Sequence, residues 1–345
     1  MRTVWIVSEG SPGHDSQSEG LVAAMSATVP VSVHRLKGRL TAPGWCRPLV
    51  LAWMGKRGRP LSERWLQRVT ELSAPRLPPP DLVVSSGGKS VFAARTLAAR
   101  HGAPYVYLGE QKRFPDAWFD VIVSPVPDDV RENAVQLELL PTPVTPAGVD
   151  KAAAAKQRPD GRVWLLVVGG ASRSHRYTDT DWNELANGMN ALAEKHGIRW
   201  LVSTSRRTGA TAESLLKDGI GRDCVADAIW WSQEPRKELH AFLGMAEVVF
   251  VTQDSVTMVS EAVSSGRPTV VVHPRDVRFP KGSFLPAYFA KLEESGRIAR
   301  TPMCSVSDFA LEQSRFDPLR EGVLDRAANE VLERLGWAAA DAETT

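Results

Sequence analysis

Four polar stretches of this chain combine glycine with side chains that can bind an anion, hold a hydroxyl or move a proton. Residues 8–17 read SEGSPGHDSQ, with an imidazole at His14 and a carboxamide at Gln17. An imidazole changes charge near neutral pH and can take a proton from an attacking hydroxyl; the alternative is a surface histidine. Residues 85–90 read SSGGKS. The residue five before Gly88 is Val83, so the G-x-x-x-x-G-K-[ST] spacing of a P-loop is absent and an NTPase is excluded. What remains there is a weaker anion or sugar-hydroxyl site at a helix N-terminus, with Lys89 as its point charge. Residues 169–173 read GGASR, a loop whose amides can face a diphosphate, assisted by Arg173 or Arg206. Residues 252–262 read TQDSVTMVSEA. A helix over 255–265, turning about 100° per residue, puts Val256, Val259 and Val263 on one side and Asp254, Met258 and Glu261 on the other. Glu261 then either accepts from a pair of ribose hydroxyls, as acids do in other nucleotide folds, or is a solvated surface acid.

These stretches need elements to hold them. Short apolar runs suit strands buried on both faces. Strands are predicted at 3–7, 31–36, 81–85, 103–108 and 118–124, and again at 162–168, 199–203, 228–230, 248–251 and 269–272. Helices are predicted from the first loop to about 27, from SSGGKS to about 101, and at 181–196 with Thr180 or Asp181 as cap. Further helices fall at 211–217, 235–244 with Pro235 in the first turn, 255–265, 285–295 and 322–335. Residues 125–162, rich in Pro and Ala, read as a linker with short irregular structure. Loops 8–17, 85–90 and 109–113 follow strand ends and would share one crevice of a doubly wound sheet. The expected class is α/β: two Rossmann-like doubly wound domains, 1–155 and 156–345, facing across a cleft, with the last helix free to pack back on the first domain. GxGxxG, HExxH and GxSxG are all absent.

Composition excludes other classes. The formal net charge of +2 offers no global field for nucleic acid. Cys46, Cys224 and Cys304 stand too far apart for a metal-ligand spacing and fit a reducing compartment. No metal and no cofactor are expected. No apolar run approaches the ~18 residues of a spanning helix, and MRTVWIVSEG lacks a signal-peptide pattern. The expectation is a cytoplasmic protein, with peripheral contact to the inner membrane open. Of eleven tryptophans, Trp5, Trp164 and Trp200 stand at strand starts and are expected in the core. The insertion 37–76 is different. Between Arg35 and Arg68 nine Lys or Arg stand against one acid, Glu63, interleaved with Trp45, Leu49, Trp53 and Trp65. That alternation fits an anionic membrane surface or a phosphate-bearing acceptor. The alternatives are an RNA backbone and a helical insertion whose tryptophans pack on the core.

Together SEGSPGHDSQ, SSGGKS, VVGGAS and VTQDSVTMVSEA resemble the bacterial and plant family named for mitochondrial fission, the "elongated mitochondria" proteins, over much of 1–274. That family is similar to GT-B glycosyltransferases, such as the one that adds N-acetylglucosamine to lipid-linked peptidoglycan precursor. The resemblance implies a GT-B-like fold and a nucleotide-sugar donor site in the second half. Gly169, Gly170 and Ser172 would face the diphosphate, Glu261 the ribose, and Asp254, Ser255 and Met258 the phosphates or sugar. It implies an acceptor near Gly13, His14, Gln17, Gly87, Gly88 and Lys89, with a lipid-linked one left open. The first loop departs from the multi-glycine loop of the peptidoglycan enzyme. Inverting transfer needs a base; His14 is the first candidate and Glu110 the second. Two other readings stay open: a non-catalytic scaffold of the same fold recruited to membranes through 35–76, and a nucleotide-sugar epimerase or hydrolase.

Overall fold

A computed structural model describes residues 1–73, 77–111, 113–319 and 323–337. They divide into two compact units: Met1–Pro143 with the C-terminal helix, and the described residues from 144 to 319. In chain order the first unit contains β1 (Arg2–Ser8), α1 (Pro12–Ser26), β2 (Val31–Leu40), α2 (Arg47–Met54), α3 (Glu63–Val69), β3 (Thr70–Ser73), β4 (Leu82–Ser86), α4 (Val91–His101), β5 (Tyr105–Leu108), β6 (Val121–Ser124) and β7 (Ala134–Gln136). The second contains α5 (Pro146–Ala154), β8 (Arg162–Val167), β9 (His175–Arg176), α6 (Asp179–His196), β10 (Ile198–Ser203), α7 (Ala210–Gly219), β11 (Val225–Ile229), α8 (Leu239–Met245), β12 (Val249–Thr252), α9 (Val256–Ser264), β13 (Thr269–His273), β14 (Asp276–Val277), α10 (Leu285–Glu294) and β15 (Ala299–Pro302). Helix α11 (Val323–Arg334) belongs to the first unit, where it packs on α1.

The first sheet has the order β3-β2-β1-β4-β5-β6-β7, parallel except for β3. The second runs β11-β10-β8-β12-β13-β15 and is parallel throughout. Central strands such as 4–7 and 163–167 are buried along their length, which is why they read as unbroken apolar runs. Trp5, Trp164 and Trp200 are core residues, and the Trp164 ring stacks on Phe250 at 5.9 Å. In each sheet the chain lays strands outward on one side of its first strand, then starts again on the other side. The reversals fall between β1 and β4 and between β8 and β12. At such a point the loops leaving neighbouring strands diverge and leave room for a ligand beyond the strands' C-terminal ends.

The structure departs from the sequence expectation where context overrides local signals. The basic interval 37–76 is not wholly an insertion. β2 runs on to Leu40 and β3 pairs antiparallel with it, placing Leu40 opposite Thr70; residues 74–76 lie outside the described residues. The expected linker holds β7 and α5. Thr145 caps α5 by accepting the Gly148 N–H at 3.1 Å, with Pro146 in the first turn. Helix α5 packs on α8, so the units divide at 143/144 and not at 155/156. A Cβ on Gly244 would lie 2.1 Å from the Val149 carbonyl oxygen, so the close approach depends on glycine. α6 starts at a capping box of Thr178 and Asp181, two residues before the expected cap. Pro235 lies outside α8, which begins at Leu239. Gly322, the expected start of the last helix, lies outside the described residues, as do residues 338–345.

Candidate functional site

Each sheet carries a polar cluster at its reversal point. In the second unit the cluster centres on Asp254, two residues past the end of β12, whose side chain is fully buried. One carboxylate oxygen accepts the Gly170 N–H at 3.0 Å and pairs with the Arg207 guanidinium at 2.7 Å. The other accepts the Tyr177 hydroxyl at 2.7 Å. Burial, then the Asp254 charge, push the Tyr177 hydroxyl far above its ordinary pKa, so it stays a donor. The Tyr177 ring stacks on Trp182 at 4.5 Å. Beside this, the Gly169 N–H donates to Thr252 Oγ1 at 2.7 Å, and the Gly169 carbonyl accepts from Ser205 and Thr208 hydroxyls at 2.9 and 2.5 Å. β8, β10 and β12 are thereby tied together at their C-terminal ends.

Two glycines make this possible. A Cβ on Gly169 would lie 2.3 Å from an Asp254 oxygen, and one on Gly170 would lie 2.1 Å from the Arg207 carbonyl oxygen. The obstacle at Gly170 is backbone and cannot rotate aside. Gly170→Ala is expected to lower stability by about 2 kcal/mol, as overpacking does, read from the urea midpoint.

His175, on β9, is buried between the Ser172 and Ser174 hydroxyls and Gln253, with Nε2 3.1 Å from Gln253 Oε1. Burial lowers its pKa below the ordinary 6.5, although the Gln253 bond and the Asp254 charge act upward. The unfolded chain therefore binds this proton more readily. Stability is intact above the unfolded value and is lost as pH falls through it toward the folded one. Urea midpoints between about pH 7 and pH 5 should fall more steeply for the wild type than for His175→Gln.

In the first unit the cluster is built from the loop after β1 and the loop after β4. Glu9 Oε1 lies 2.9 Å from His14 Nδ1, and Glu9 Oε2 accepts the Lys89 N–H at 2.8 Å. Burial alone would raise the Glu9 pKa, but the bonds and charges of His14 and Lys89 outweigh it and the carboxyl sits below its ordinary value. His14 stands in the first turn of α1 with its side chain 38% exposed, so an oriented imidazole faces solvent. Gly87, at φ +88°, leaves space for it: a Cβ there would lie 2.3 Å from His14 Nδ1. Arg47, the first residue of α2, donates to the Gly88 carbonyl at 2.5 Å and lies over the Phe92 and Phe114 rings at 5.7 and 5.8 Å. Burial, then Arg113, lower its pKa, while Glu9 acts the other way.

The expected site residues fare differently. His14, Gly87 and Lys89 come together with Glu9, Gly88 is held beside them by Arg47, and Gly13 is their neighbour only through its place before His14 in the chain. Lys89 contributes its amide, and its side chain is exposed. Gln17 is buried and accepts from the Ser86 hydroxyl at 2.8 Å, so it ties α1 to β4. Glu110 is half-buried just past β5, its charge felt at Tyr107; Lys112 of that loop lies outside the described residues. The Gly169 and Gly170 amides, expected at a diphosphate, are occupied by Thr252 and Asp254, and the Ser172 N–H by the His175 carbonyl. Ser172 Oγ accepts the His175 and Ser174 amides and closes its own turn. Asp254 turns inward and does not cap α9. Ser255 is the N-cap residue, and no side chain caps that helix. Arg207, not Arg206, holds Asp254; Arg173 and Arg206 are exposed. Val259 and Val263 face the core, while Met258 and Glu261 are half-buried.

Sequence reading missed Glu9, Arg47, Tyr177, Arg207 and His175. It also missed Trp231, 43% exposed beyond β11, whose backbone N–H donates to Thr204 Oγ1 at 2.8 Å. Glu9 sits five residues before His14 in the same quoted stretch and was the one legible signal. Among the described residues no group of three or more His, Cys, Asp or Glu is placed to hold a metal ion, and no helix is long and apolar enough to cross a membrane.

Comparison with solved structures shows the same fold across the chain. S. aureus MnaA in its structure with UDP is 12% identical with a TM-score of 0.58, covering 98% of each chain. The UDP-GlcNAc 2-epimerase of Methanocaldococcus jannaschii is 14% identical with a TM-score of 0.57, covering 98% of this chain and 100% of that one. The UDP-GlcNAc 2-epimerase of Neisseria meningitidis, bound to UDP-GlcNAc, is 10% identical with a TM-score of 0.51, covering 97% and 99%. At these identities the likeness is one of fold, which is GT-B-like. The Rickettsia prowazekii protein RP120 is 24% identical over 156 residues, 45% of this chain and 42% of that one, so the match spans less than half of either. The family model described as "Mitochondrial fission ELM1" matches residues 12–335. The chain belongs to the mitochondrial fission ELM1 family.

Proposed function

We propose that the second unit binds a nucleotide-sugar donor and that the first supplies the base for transfer of its sugar to a hydroxyl acceptor. The observation that carries this reading is the Glu9–His14 pair at the reversal point of the first sheet. A carboxylate on Nδ1 fixes the ring's tautomer and orientation and leaves the other nitrogen for a hydroxyl proton, the logic of a base held by a third group. The donor diphosphate would lie at the second reversal point, on the first-turn amides of the uncapped α9, with Arg207 beside it. Gly169 and Gly170 then act by close packing, which positions Asp254 and through it Arg207. Glu261 would take the ribose hydroxyls, and the exposed Trp231 ring would stack on the base. Helix dipole and guanidinium would offset the phosphate charge without a metal ion. That similar folds were solved with UDP and UDP-GlcNAc supports a uridine nucleotide as the first ligand to test.

A second reading, an epimerase or hydrolase acting on the donor alone, is favoured by the likeness to UDP-GlcNAc 2-epimerases. Calorimetry with UDP, GDP, CMP and their sugars, in the presence of EDTA, tests the binding. No binding at millimolar concentration by the folded protein overturns it. Product analysis with donor alone separates the readings: a new sugar isomer or free sugar without acceptor favours the second. Binding without any turnover favours a scaffold.

A further inference from the structure

We propose that residues 45–65 dock the protein on an anionic lipid surface. Trp45, Leu49 and Trp53 follow one another at four-residue spacing, which places them on one side of α2 and the turn before it. They are 73%, 63% and 52% exposed, and Trp65 on α3 is 54% exposed. The other side of α2 is used by the fold: Met54 is buried, Val50 and Leu51 pack on the core, and Arg47 reaches Gly88. The helix is thus anchored to the core on one side, and among the described residues its outer face has no partner.

Three large apolar side chains in a row are a cost in water unless something covers them. Charge selects the occupant. Lys56, Arg57, Arg59, Arg64 and Arg68 are exposed, and none of the five forms an ion pair among the described residues. The one acid within 35–68, Glu63, is 3.5 Å from Arg100. Exposed tryptophan and leucine interleaved along the chain with exposed lysine and arginine match the chemistry of a headgroup–acyl boundary, where indoles sit at headgroup depth and cations meet anionic lipid. An apolar protein partner would gain nothing from five unpaired cations, and a nucleic-acid backbone would gain nothing from Leu49. The helix that carries this face also carries Arg47 to the Gly87–Lys89 loop, so docking would put the Glu9–His14 pair close to lipid. That last consequence rests on the proposed function; the docking itself does not.

The test is co-sedimentation of the full chain with phosphatidylcholine vesicles and with vesicles also containing phosphatidylglycerol. Binding to the second and not the first, falling with salt, is expected. A Trp45→Ser, Leu49→Ser, Trp53→Ser variant should lose binding by at least roughly 10-fold. A Lys56→Glu, Arg57→Glu, Arg59→Glu variant should lose it by more than roughly 100-fold, at about 1 kcal/mol for each basic residue near the surface. Both should melt at the wild-type temperature and keep nucleotide affinity, because the changed side chains are exposed. Failure of nucleotide binding with vesicle binding intact would sink the proposed function alone. No sedimentation with either vesicle overturns the docking proposal. So does concentration-dependent self-association, or nucleic-acid binding, abolished by the serine variant without vesicle binding.

Discussion

Replacing His14 with alanine is expected to slow sugar transfer by roughly 10²- to 10⁴-fold, the usual contribution of a positioned base, with nucleotide affinity unchanged. Glu9→Gln should fall toward the lower end of that range. It keeps the shape of the side chain but removes the charge that would stabilise an imidazolium. Gly87→Ala offers a sharper test, because it touches neither group chemically. Its Cβ would fall 2.3 Å from His14 Nδ1 and 2.6 Å from Glu9 Cδ and force the two apart. All three should lose rate while calorimetry on the second unit's ligand stays as it was. If the rate survives in His14→Ala, the base lies elsewhere. The Glu9 carboxyl sits below its ordinary 4.5, so any stabilisation it provides is present above that pH and fades only as pH falls through the lowered value. An acid limb in the rate nearer neutrality would therefore not come from Glu9.

Asp254→Ala should lower stability by about 3 kcal/mol and abolish nucleotide binding. The magnitude follows from what is left behind. The Gly170 N–H and the Tyr177 hydroxyl lose their acceptor inside the protein, and an unsatisfied buried donor costs about 1–3 kcal/mol. Arg207 adds less, because its side chain is 38% exposed and turns to water. Asp254→Asn should fall between. Every partner of Asp254 is a donor, and a carboxamide presents one oxygen and one donor where the carboxylate presents two oxygens. Tyr177→Phe is the control, with a loss of about 1 kcal/mol. Guanidinium denaturation gives the stabilities and calorimetry the affinities. If Asp254→Ala binds nucleotide normally, the reversal point of the second sheet is not the donor site.

The two clusters also explain how much of the molecule could be read from its sequence. Runs such as 4–7 and 248–251 declare strands buried on both faces, because period and composition are local properties. Their alternation with helices then leaves few topologies open. The quoted polar stretches located the loops at both reversal points for the same reason: a polar break after an apolar run is visible without knowing what surrounds it.

The direction of side chains inside those loops was not visible. Glu9 and Lys89 are 80 residues apart, and Gly170 and Asp254 are 84 apart. Nothing in the SEGSPGHDSQ stretch says that its acid will accept the Lys89 amide. Nothing in Arg206-Arg207 says which guanidinium turns inward. The glycines of 169–170 were expected at a diphosphate, but the groups that approach them here are the protein's own carboxylate and backbone, fixed only when β8, β10 and β12 lie side by side. Arg47 came from an interval read as an insertion, because β2 and β3 fold it against the sheet. Sequence alone determined the alternating α/β order, the family and the places where polar loops leave the strands. Tertiary structure alone decided which polar groups satisfy one another there and which remain for a ligand. A buried donor or acceptor must find a partner wherever the fold supplies one, and that supply is set by long-range packing.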